Sequence, residues 1–259
     1  MSEKSLFFPM VGIQISVLDV NMNAVGILRC CFCEMEKLLY PGTMTLDLES
    51  RVLEILNETN AVGYFKGYYG YPNIISVPIN EEVVHTPPSS RMIRDGDIVT
   101  IELGVQKDDA HAFKVWTYPI GNVDWKTTSL LQGAHAALLA GVNEVRYKAP
   151  VSFISESIHD SLQSYKLQPS QDFVGYRIGH VPVMNPKIPC FFNKRKHSAS
   201  ERQPLGNLVI LVVAHSGKSK ITVKPDGWTV VAKDRKRSAV FSHMVSLSQS
   251  NRTVLTDFH

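Results

Sequence analysis

Gly67-Tyr-Tyr-Gly-Tyr-Pro72 begins the stretch of sequence that decides the fold of this chain. Ile79-Asn-Glu-Glu-Val-Val-His85 and Asp95-Gly-Asp-Ile-Val-Thr-Ile101 follow it. Two runs in this stretch, Asn73-Ile-Ile-Ser-Val77 and Ile98-Val-Thr-Ile-Glu-Leu-Gly-Val105, are rich in β-branched residues, which favour strands. This part of the chain is therefore predicted to form short strands.

A second informative block lies near the end of the chain and consists of Lys224-Pro-Asp-Gly-Trp-Thr-Val230, Lys233-Asp-Arg235 and Ser238-Ala239. In order and spacing, the two blocks resemble the first strand block and the last block of the type I methionine aminopeptidases. The resemblance implies an α+β fold, the pita-bread fold of creatinase and the aminopeptidases, with an active site in the cleft between two similar halves. It also implies a frame in which the family holds two metal ions.

Helical patterns occur in two pairs along the chain. Apolar residues predict a buried helix from Ala24 to Tyr40, which Pro41-Gly42 ends, and a second helix that begins at the N-cap Thr45. In the second half, apolar spacing predicts helices near Ser129 to Val142 and Ser152 to Tyr165. Each pair is followed by predicted strands.

The strand segments of the second half are Val174 to Val183, Leu208 to Ala214 and Thr229 to Ala232. The order helix, helix, strand, strand is thus written twice, which indicates an internal pseudo-twofold. The two halves are predicted at about residues 24–121 and 128–247. No linker separates them, so residues 1–259 are predicted to form a single domain.

The composition is that of an ordinary soluble globular protein. The 259 residues are 44% hydrophobic and 20% charged, which is enough for one large core. No apolar run approaches the roughly 18 residues that a membrane span needs. The N-terminus Met1–Pro9 lacks a complete signal-peptide pattern. We therefore predict a cytoplasmic protein without a membrane partner.

The net charge of +3 is too small to indicate a nucleic-acid-binding surface. The basic clusters Lys194-Arg-Lys196 and Lys233 to Arg237 are interpreted as solvated loops. Cys30, Cys31 and Cys33 lie among apolar residues and Cys190 is alone, in spacings that match no zinc ribbon, redox pair or disulfide framework. This cysteine usage favours a reducing compartment, and the oligomeric state stays open.

The resemblance assigns the metal-ligand positions of the family to residues of this chain, one position at a time. These positions fall on Glu102, Phe113, Tyr176, either Leu211 or Val212, and Ser242. Phe, Leu and Val offer no oxygen, nitrogen or sulfur donor to a divalent ion. The resemblance therefore implies a family member that lacks the dinuclear metal site, with no metal and no other cofactor.

Two polar residues remain where the resemblance places the reacting groups. His85 corresponds to the histidine that contacts the scissile amide in the family, although an ordinary hydrogen-bonded histidine at a strand end is the alternative. Glu102 is either a relic held by an ion pair or a working carboxylate. Without a metal ion beside it, the working carboxylate is expected to be desolvated, which would raise its pKa towards neutrality. We interpret His85 and Glu102 as a proton-transfer pair, and Tyr176 and Ser242 as further catalytic candidates that orient the substrate.

A substrate pocket is predicted from aromatic residues. Tyr68, Tyr71 and Trp228 correspond to positions that line the methionine side-chain pocket in the family, although core aromatics are the alternative interpretation. Phe65 stands where the family has a small residue, which predicts a reshaped pocket. The predicted substrate-binding residues are Tyr68, Tyr71, Phe113, Trp228 and His243.

Three functions are compatible with these residues. The first is a metal-independent enzyme, a hydrolase or lyase, that acts on a small amino-acid- or peptide-like substrate by proton transfer in the cleft, as creatinase acts without a metal. The second is a catalytically inactive pseudoenzyme whose cleft binds a peptide, a protein or RNA, since a fold alone does not fix a function. The third, a residual aminopeptidase with relocated ligands, is disfavoured because no replacement ligand set is visible.

Overall fold

The computed structural model describes residues 23–193 and 201–258; Met1–Pro9 and the basic cluster Lys194–Lys196 lie outside them. The helices are α1 (Ala24–Glu36), α2 (Thr45–Glu58), α3 (Trp125–Asn143) and α4 (Val151–Ser164). The strands are β1 (Val62–Gly63), β2 (Ile75–Ser76), β3 (Glu82–Val84), β4 (Ile98–Lys107), β5 (Ala110–Pro119), β6 (Gln168–Pro169), β7 (Val174–Ile178), β8 (Met184–Pro189), β9 (Gly206–His215), β10 (Ile221–Val223), β11 (Val230–Ala232), β12 (Ser238–Leu247) and β13 (Arg252–Val254). None of these helices is long and apolar enough to cross a membrane.

Helix α1 begins where the Asn23 side chain accepts a hydrogen bond of 2.9 Å from the Gly26 backbone N–H, which satisfies one free donor of the first turn. The predicted end at Tyr40 is wrong, because α1 ends at Glu36. There the Leu38 N–H bonds to Met35 O, three residues back, and this tighter turn ends the helix before Pro41.

Helix α2 begins at Thr45, but Thr45 is its first helical residue and not its N-cap, so that prediction is wrong. Met44 holds the cap position, and its N–H donates to the Asp47 carboxylate at 2.9 Å. The Thr45 hydroxyl is used elsewhere: it donates to Ser89 O (3.0 Å) and accepts from the Ser89 N–H (2.8 Å). A long-range contact has therefore replaced local capping.

The strands form two large antiparallel sheets and one small one. In the first sheet, β4 pairs with β1, β2 and β5. In the second, the order is β13-β12-β9-β7-β8, and β6 pairs with β9. The small sheet has the order β10-β11-β3, so it joins a strand of the first half to strands of the second.

The two large sheets meet where β5 lies beside β12. The Thr117 hydroxyl donates to Val240 O (2.9 Å) and accepts from the Val240 N–H (2.8 Å). On the side of the sheets away from the pocket described below, α1 packs against β4 and β5, and α3 packs against β9 and β12. One set of buried apolar side chains includes residues of both halves. The organisation of the whole chain as a single domain stays a prediction.

Candidate active site

A pocket of about 300 Å³ lies on the face of the sheets opposite the helices. On β5, Phe113 lines this pocket, whereas Lys114 lies close to Phe32 of α1. Successive side chains of a strand point to opposite faces, so β4 and β5 separate the pocket from the helices. Of the predicted catalytic residues, His85, Glu102 and Tyr176 line the pocket, and of the predicted substrate-binding residues, Tyr68, Tyr71, Phe113 and Trp228 line it.

Glu102 lies on β4 at the inner wall of the pocket, opposite Ser76 of β2, and is only 9% exposed. Its Oε2 atom is buried and has no hydrogen-bond partner among the described residues. Burial raises the pKa of Glu102, while the charge of His85 and hydrogen bonding from Ser76 and the His85 backbone act in the opposite direction. Glu102 is thus a desolvated carboxyl group in the pocket wall, and one of its oxygens lacks a hydrogen-bond partner among the described residues.

His85 follows β3 and is exposed at the mouth of the pocket. Its φ of 57° lies in the left-handed region, which histidine adopts more readily than most residues. The imidazole meets the Phe173 ring edge to face, with 5.9 Å between ring centroids. The backbone turn at His85 brings both its N–H and its imidazole to the side of the pocket that Glu102 occupies.

Aromatic rings form the remaining walls. Phe113 is 5.9 Å from Tyr176 and 6.2 Å from Phe65, measured between ring centroids. Tyr71 and Trp228 make an edge-to-face pair at 5.3 Å, and the Tyr71 hydroxyl donates to Ile75 O at 3.0 Å. Such walls bind apolar groups, and ligand pockets begin at about this volume.

The structure does not bring Ser242 and His243 to the pocket. Ser242 is fully buried, and its Oγ accepts a hydrogen bond of 2.9 Å from the Val115 N–H, so the backbone of β5 covers it. His243 points to the other face of β12, where its Nδ1 lies 3.4 Å from Thr256 Oγ1 and its ring lies 5.5 Å from that of Trp116. Their positions in the sequence do not reveal that β5 covers this part of β12.

The two alternatives for one ligand position separate clearly. Leu211 lines the pocket, whereas Val212 is fully buried and contributes nothing to the lining. In β9 and β12, Leu211 pairs with Ser242, and paired residues share a face of the sheet. Leu211 and Ser242 therefore lie on the same face of the sheet, where β5 covers Ser242 and Leu211 lines the pocket.

Several lining residues were missed in the sequence: Tyr64, Ser76, Phe173, Pro182 and Val183. Ser76 carried a signal, since it is a polar residue within an apolar strand segment. Tyr64 adjoins Phe65, which the pocket prediction used. Phe173, Pro182 and Val183 flank β7, and only the pairing of β7 with β9 brings them to the pocket.

The donor atoms do not fit a dinuclear metal site. Among residues 23–193 and 201–258, no group of three or more His, Cys, Asp or Glu side chains could hold a metal ion. Within the described pocket lining, Glu102 is the single carboxylate and His85 the single imidazole. Phe113 and Leu211 stand in the same lining, and hydrocarbon side chains cannot coordinate a cation.

Comparison with known proteins identifies the frame in which this pocket is built. Residues 22–205 match the model of the metallopeptidase family M24. Methionine aminopeptidase 1 of Bacillus subtilis is 30% identical over 239 residues, 92% of this chain and 96% of that protein. The methionine aminopeptidase of Borreliella burgdorferi is 28% identical over 90% of this chain and 93% of its own length.

Solved structures agree with the sequence comparisons. The methionine aminopeptidase of Thermotoga maritima superposes with a TM-score of 0.86 at 27% identity, over 90% of this chain and 93% of that one. An Xaa-Pro dipeptidase of Bacillus anthracis, at 13% identity and a TM-score of 0.66, over 90% of this chain and 58% of that one, shares the fold alone. The predicted pita-bread fold is confirmed, and the chain belongs to metallopeptidase family M24 as a methionine aminopeptidase-like member.

Proposed function

We propose that this chain is a metal-independent member of its family that binds a small amino-acid- or peptide-like molecule in the pocket and acts on it by proton transfer between Glu102 and His85. The observation that carries the proposal is the buried Oε2 of Glu102, which has no hydrogen-bond partner among the described residues and belongs to a carboxyl group that lines an aromatic pocket. The proposed location is the cytoplasm, in keeping with the four free cysteines of the described residues.

Proton transfer is supported by the environment of Glu102. Burial raises its pKa, so the carboxyl group gives up and takes up a proton closer to neutral pH than an exposed glutamate does. His85 is exposed at the mouth of the same pocket and can exchange that proton with water. In this scheme Tyr176 packs against the ligand, and Ser242 has no part because β5 covers it.

The chemistry of the pocket indicates a ligand with an amine and an apolar side chain. A primary ammonium group supplies the hydrogen-bond donors and the positive charge that an isolated buried carboxylate lacks. Phe65, Phe113 and Trp228 provide the apolar surface for a side chain. A volume of about 300 Å³ suits a single amino acid or a dipeptide.

A second candidate is a catalytically inactive protein that uses the same pocket to bind a peptide end. One observation favours it: the described lining contains one carboxylate and one imidazole, and the hydroxyl of Ser242 is covered by β5. Binding needs the pocket and Glu102, whereas catalysis also needs His85. Turnover therefore separates the two candidates.

The test uses protein purified without added metal and analysed for bound Co, Mn, Fe, Zn and Ni. Binding is measured by calorimetry for L-methionine, L-phenylalanine, Met-Gly and Phe-Gly, each beside its N-acetyl form, and turnover by mass spectrometry with and without EDTA. We expect less than one metal ion per chain, binding of the free amines, and turnover that EDTA does not reduce. About two ions per chain together with EDTA-sensitive cleavage of a Met-initiated tripeptide would overturn metal independence.

A further inference from the structure

Tyr64 is the pocket residue with the least expected surroundings. It follows β1, and its backbone N–H donates to Gly104 O at 3.1 Å. Its ring lies directly on Gly104 of β4, where a Cβ atom would come within 2.2 Å of the Tyr64 ring. Only glycine at position 104 leaves room for this ring. Because Gly104 is two residues after Glu102 in the strand, both face the pocket, and the tyrosine is brought beside the carboxyl group.

Two polar atoms at this point lack a well-aligned hydrogen bond within the described part of the chain: the hydroxyl of Tyr64 and Oε2 of Glu102. The Tyr64 and Tyr176 hydroxyls lie close enough to affect each other's pKa, yet this contact leaves the Tyr64 hydroxyl without good hydrogen-bond geometry. Burial raises the pKa of Tyr64, and the nearby charge of Glu102 raises it further. Buried polar groups without partners are rare and costly, so two together indicate a ligand-binding position.

We infer that Tyr64 and Glu102 together bind the primary ammonium group of the ligand, with Tyr64 as a determinant of specificity for a free amine. The inference rests on the proposed function, which supplies the amine ligand, and adds a residue and a selectivity to it. The Tyr64 hydroxyl and Glu102 Oε2 each accept one of the three ammonium N–H bonds. An N-acetylated ligand has one N–H, no charge and a bulkier group, so it cannot replace the ammonium.

The pairing has a consequence for stability that distinguishes a binding role from a structural one. A buried hydroxyl that holds the fold together has a protein partner, and its removal destabilises the protein. The Tyr64 hydroxyl has no such aligned partner, and its contact with the Tyr176 hydroxyl is poorly aligned, so its removal costs the free protein little and relieves a desolvated polar group. The ligand, in contrast, loses an acceptor for its charged amine.

Tyr64→Phe tests the inference, with Tyr118→Phe as the matched control. Tyr118 is a partly buried tyrosine on β5, outside the pocket lining, and its hydroxyl donates to Glu36 Oε1 at 2.7 Å. Affinities for L-phenylalanine and Phe-Gly are measured by calorimetry, and stability by urea unfolding. We expect Tyr64→Phe to weaken amine binding by about 10- to 100-fold while its unfolding midpoint is unchanged or raised. Tyr118→Phe should lower the midpoint and leave affinity unchanged.

The possible results distinguish failure of the role of Tyr64 from failure of the proposed function. If the wild type binds the free amines and Tyr64→Phe binds them equally well, the role of Tyr64 is overturned and the proposed function stands. If Tyr64→Phe lowers the unfolding midpoint as Tyr118→Phe does and retains its affinity, the hydroxyl is structural. If the wild type binds neither the free amines nor their N-acetyl forms, the proposed ligand class fails, and this inference fails with it.

Discussion

Glu102 and Lys114 are both buried charged residues of the β4–β5 hairpin, but they face opposite sides of it. Lys114 faces the helices and is fully buried. Its Nζ donates to Thr256 O at 2.9 Å and lies 4.0 Å from the centroid of the Trp116 ring and 5.1 Å from that of Phe258. Glu102 faces the pocket, and one of its oxygens has no aligned partner among the described residues.

The difference shows how a buried charge whose partners all come from the protein is distinguished from a buried charge that binds a ligand. Around Lys114 the fold supplies a carbonyl, aromatic faces and two more distant carboxylates, Glu36 on α1 and Asp257 after β13. Its pKa is nevertheless lowered to about 7, because burial outweighs these partners. Glu102 lines a cavity, and its Oε2 has no hydrogen-bond partner among the described residues. The protein itself completes the first arrangement, and we propose that a ligand completes the second.

The largest effect is expected on the pocket side of the β4–β5 hairpin. There, loss of His85 should abolish turnover without unfolding the protein. Under the proposed enzymatic function, His85→Ala lowers turnover by about 10²- to 10⁴-fold, because it removes a proton-transfer group. The backbone at His85 has positive φ, which alanine adopts reluctantly, so His85→Asn is made beside it. Turnover of the best ligand and urea unfolding are measured for both variants.

The control is His159→Ala on α4, outside the pocket, which should keep full turnover. If His85→Ala and His85→Asn both fail to fold, His85 is required for the fold, and the contrast between the two sides breaks down. Folded variants with undiminished turnover would instead remove His85 from the mechanism and favour a role for the pocket in binding alone.

The second effect is expected on the helix side of the hairpin, where Lys114→Met should stabilise the protein at low pH. The folded pKa of Lys114, about 7, lies below the unfolded value of about 10.4, so the folded state disfavours the charged form. The resulting penalty is complete below pH 7 and disappears as pH rises towards 10. Allowing for the lost bond to Thr256 O, we expect Lys114→Met to be more stable by roughly 3 kcal/mol at pH 6.

Urea unfolding at pH 6 and pH 9.5 checks this expectation, since the advantage of Lys114→Met should shrink or reverse at the higher pH. Binding of L-phenylalanine should not change, because the side chain lies on the face away from the pocket. A variant that is less stable than wild type at pH 6 would mean that the aromatic rings and carboxylates outweigh desolvation. The buried charge would then stabilise the fold.

The same contrast explains what the sequence could and could not predict. The helix pairs, the strand segments and the pocket aromatics were accessible because periodicity and motif blocks are local signals. The cap at Met44 was not, because Thr45 bonds to Ser89, far along the chain. Ser242 and His243 adjoin each other just after the last block of the family resemblance, and neither reaches the pocket. Ser242 is covered by β5, a contact that no local pattern encodes, and His243 points to the other face of β12.

Lys114 and Tyr64 are two residues whose surroundings the local sequence does not indicate. Nothing in the local sequence marks Lys114 as buried, since a lone lysine in a strand is ordinarily solvent-exposed. Its burial follows from α1 and the C-terminal segment, which cover that face of β5. The Tyr64 ring lies over Gly104, two residues after Glu102 in β4, because Gly104 has no side chain. The surroundings of both residues come from parts of the chain that are distant in sequence. Local sequence patterns therefore do not predict them.

The smallest effect is expected for Glu102→Gln in the free protein, and its sign tests whether Glu102 is an incompletely satisfied charge. Burial raises its folded pKa above the unfolded value of about 4.3, so the charged form is disfavoured in the folded state. The penalty is absent below pH 4, grows as pH rises through the folded pKa and is complete above it. Glu102→Gln should therefore be more stable than wild type at pH 8, by on the order of 1 kcal/mol, and equal to it at pH 4.

The matched control is Glu82→Gln. Glu82 is buried like Glu102, with 3% of its surface exposed against 9%. Its Oε1 accepts hydrogen bonds from Arg91 (2.9 Å) and Lys224 (2.5 Å), and its Oε2 accepts one from the Ile79 N–H. Loss of this charge leaves two cations without a partner, so Glu82→Gln should lose stability at pH 8. Thermal melts of the three proteins from pH 4 to pH 9 compare them directly. If Glu102→Gln loses stability as Glu82→Gln does, Glu102 is a satisfied structural carboxylate like Glu82, and the case for an amine in the pocket loses its main support.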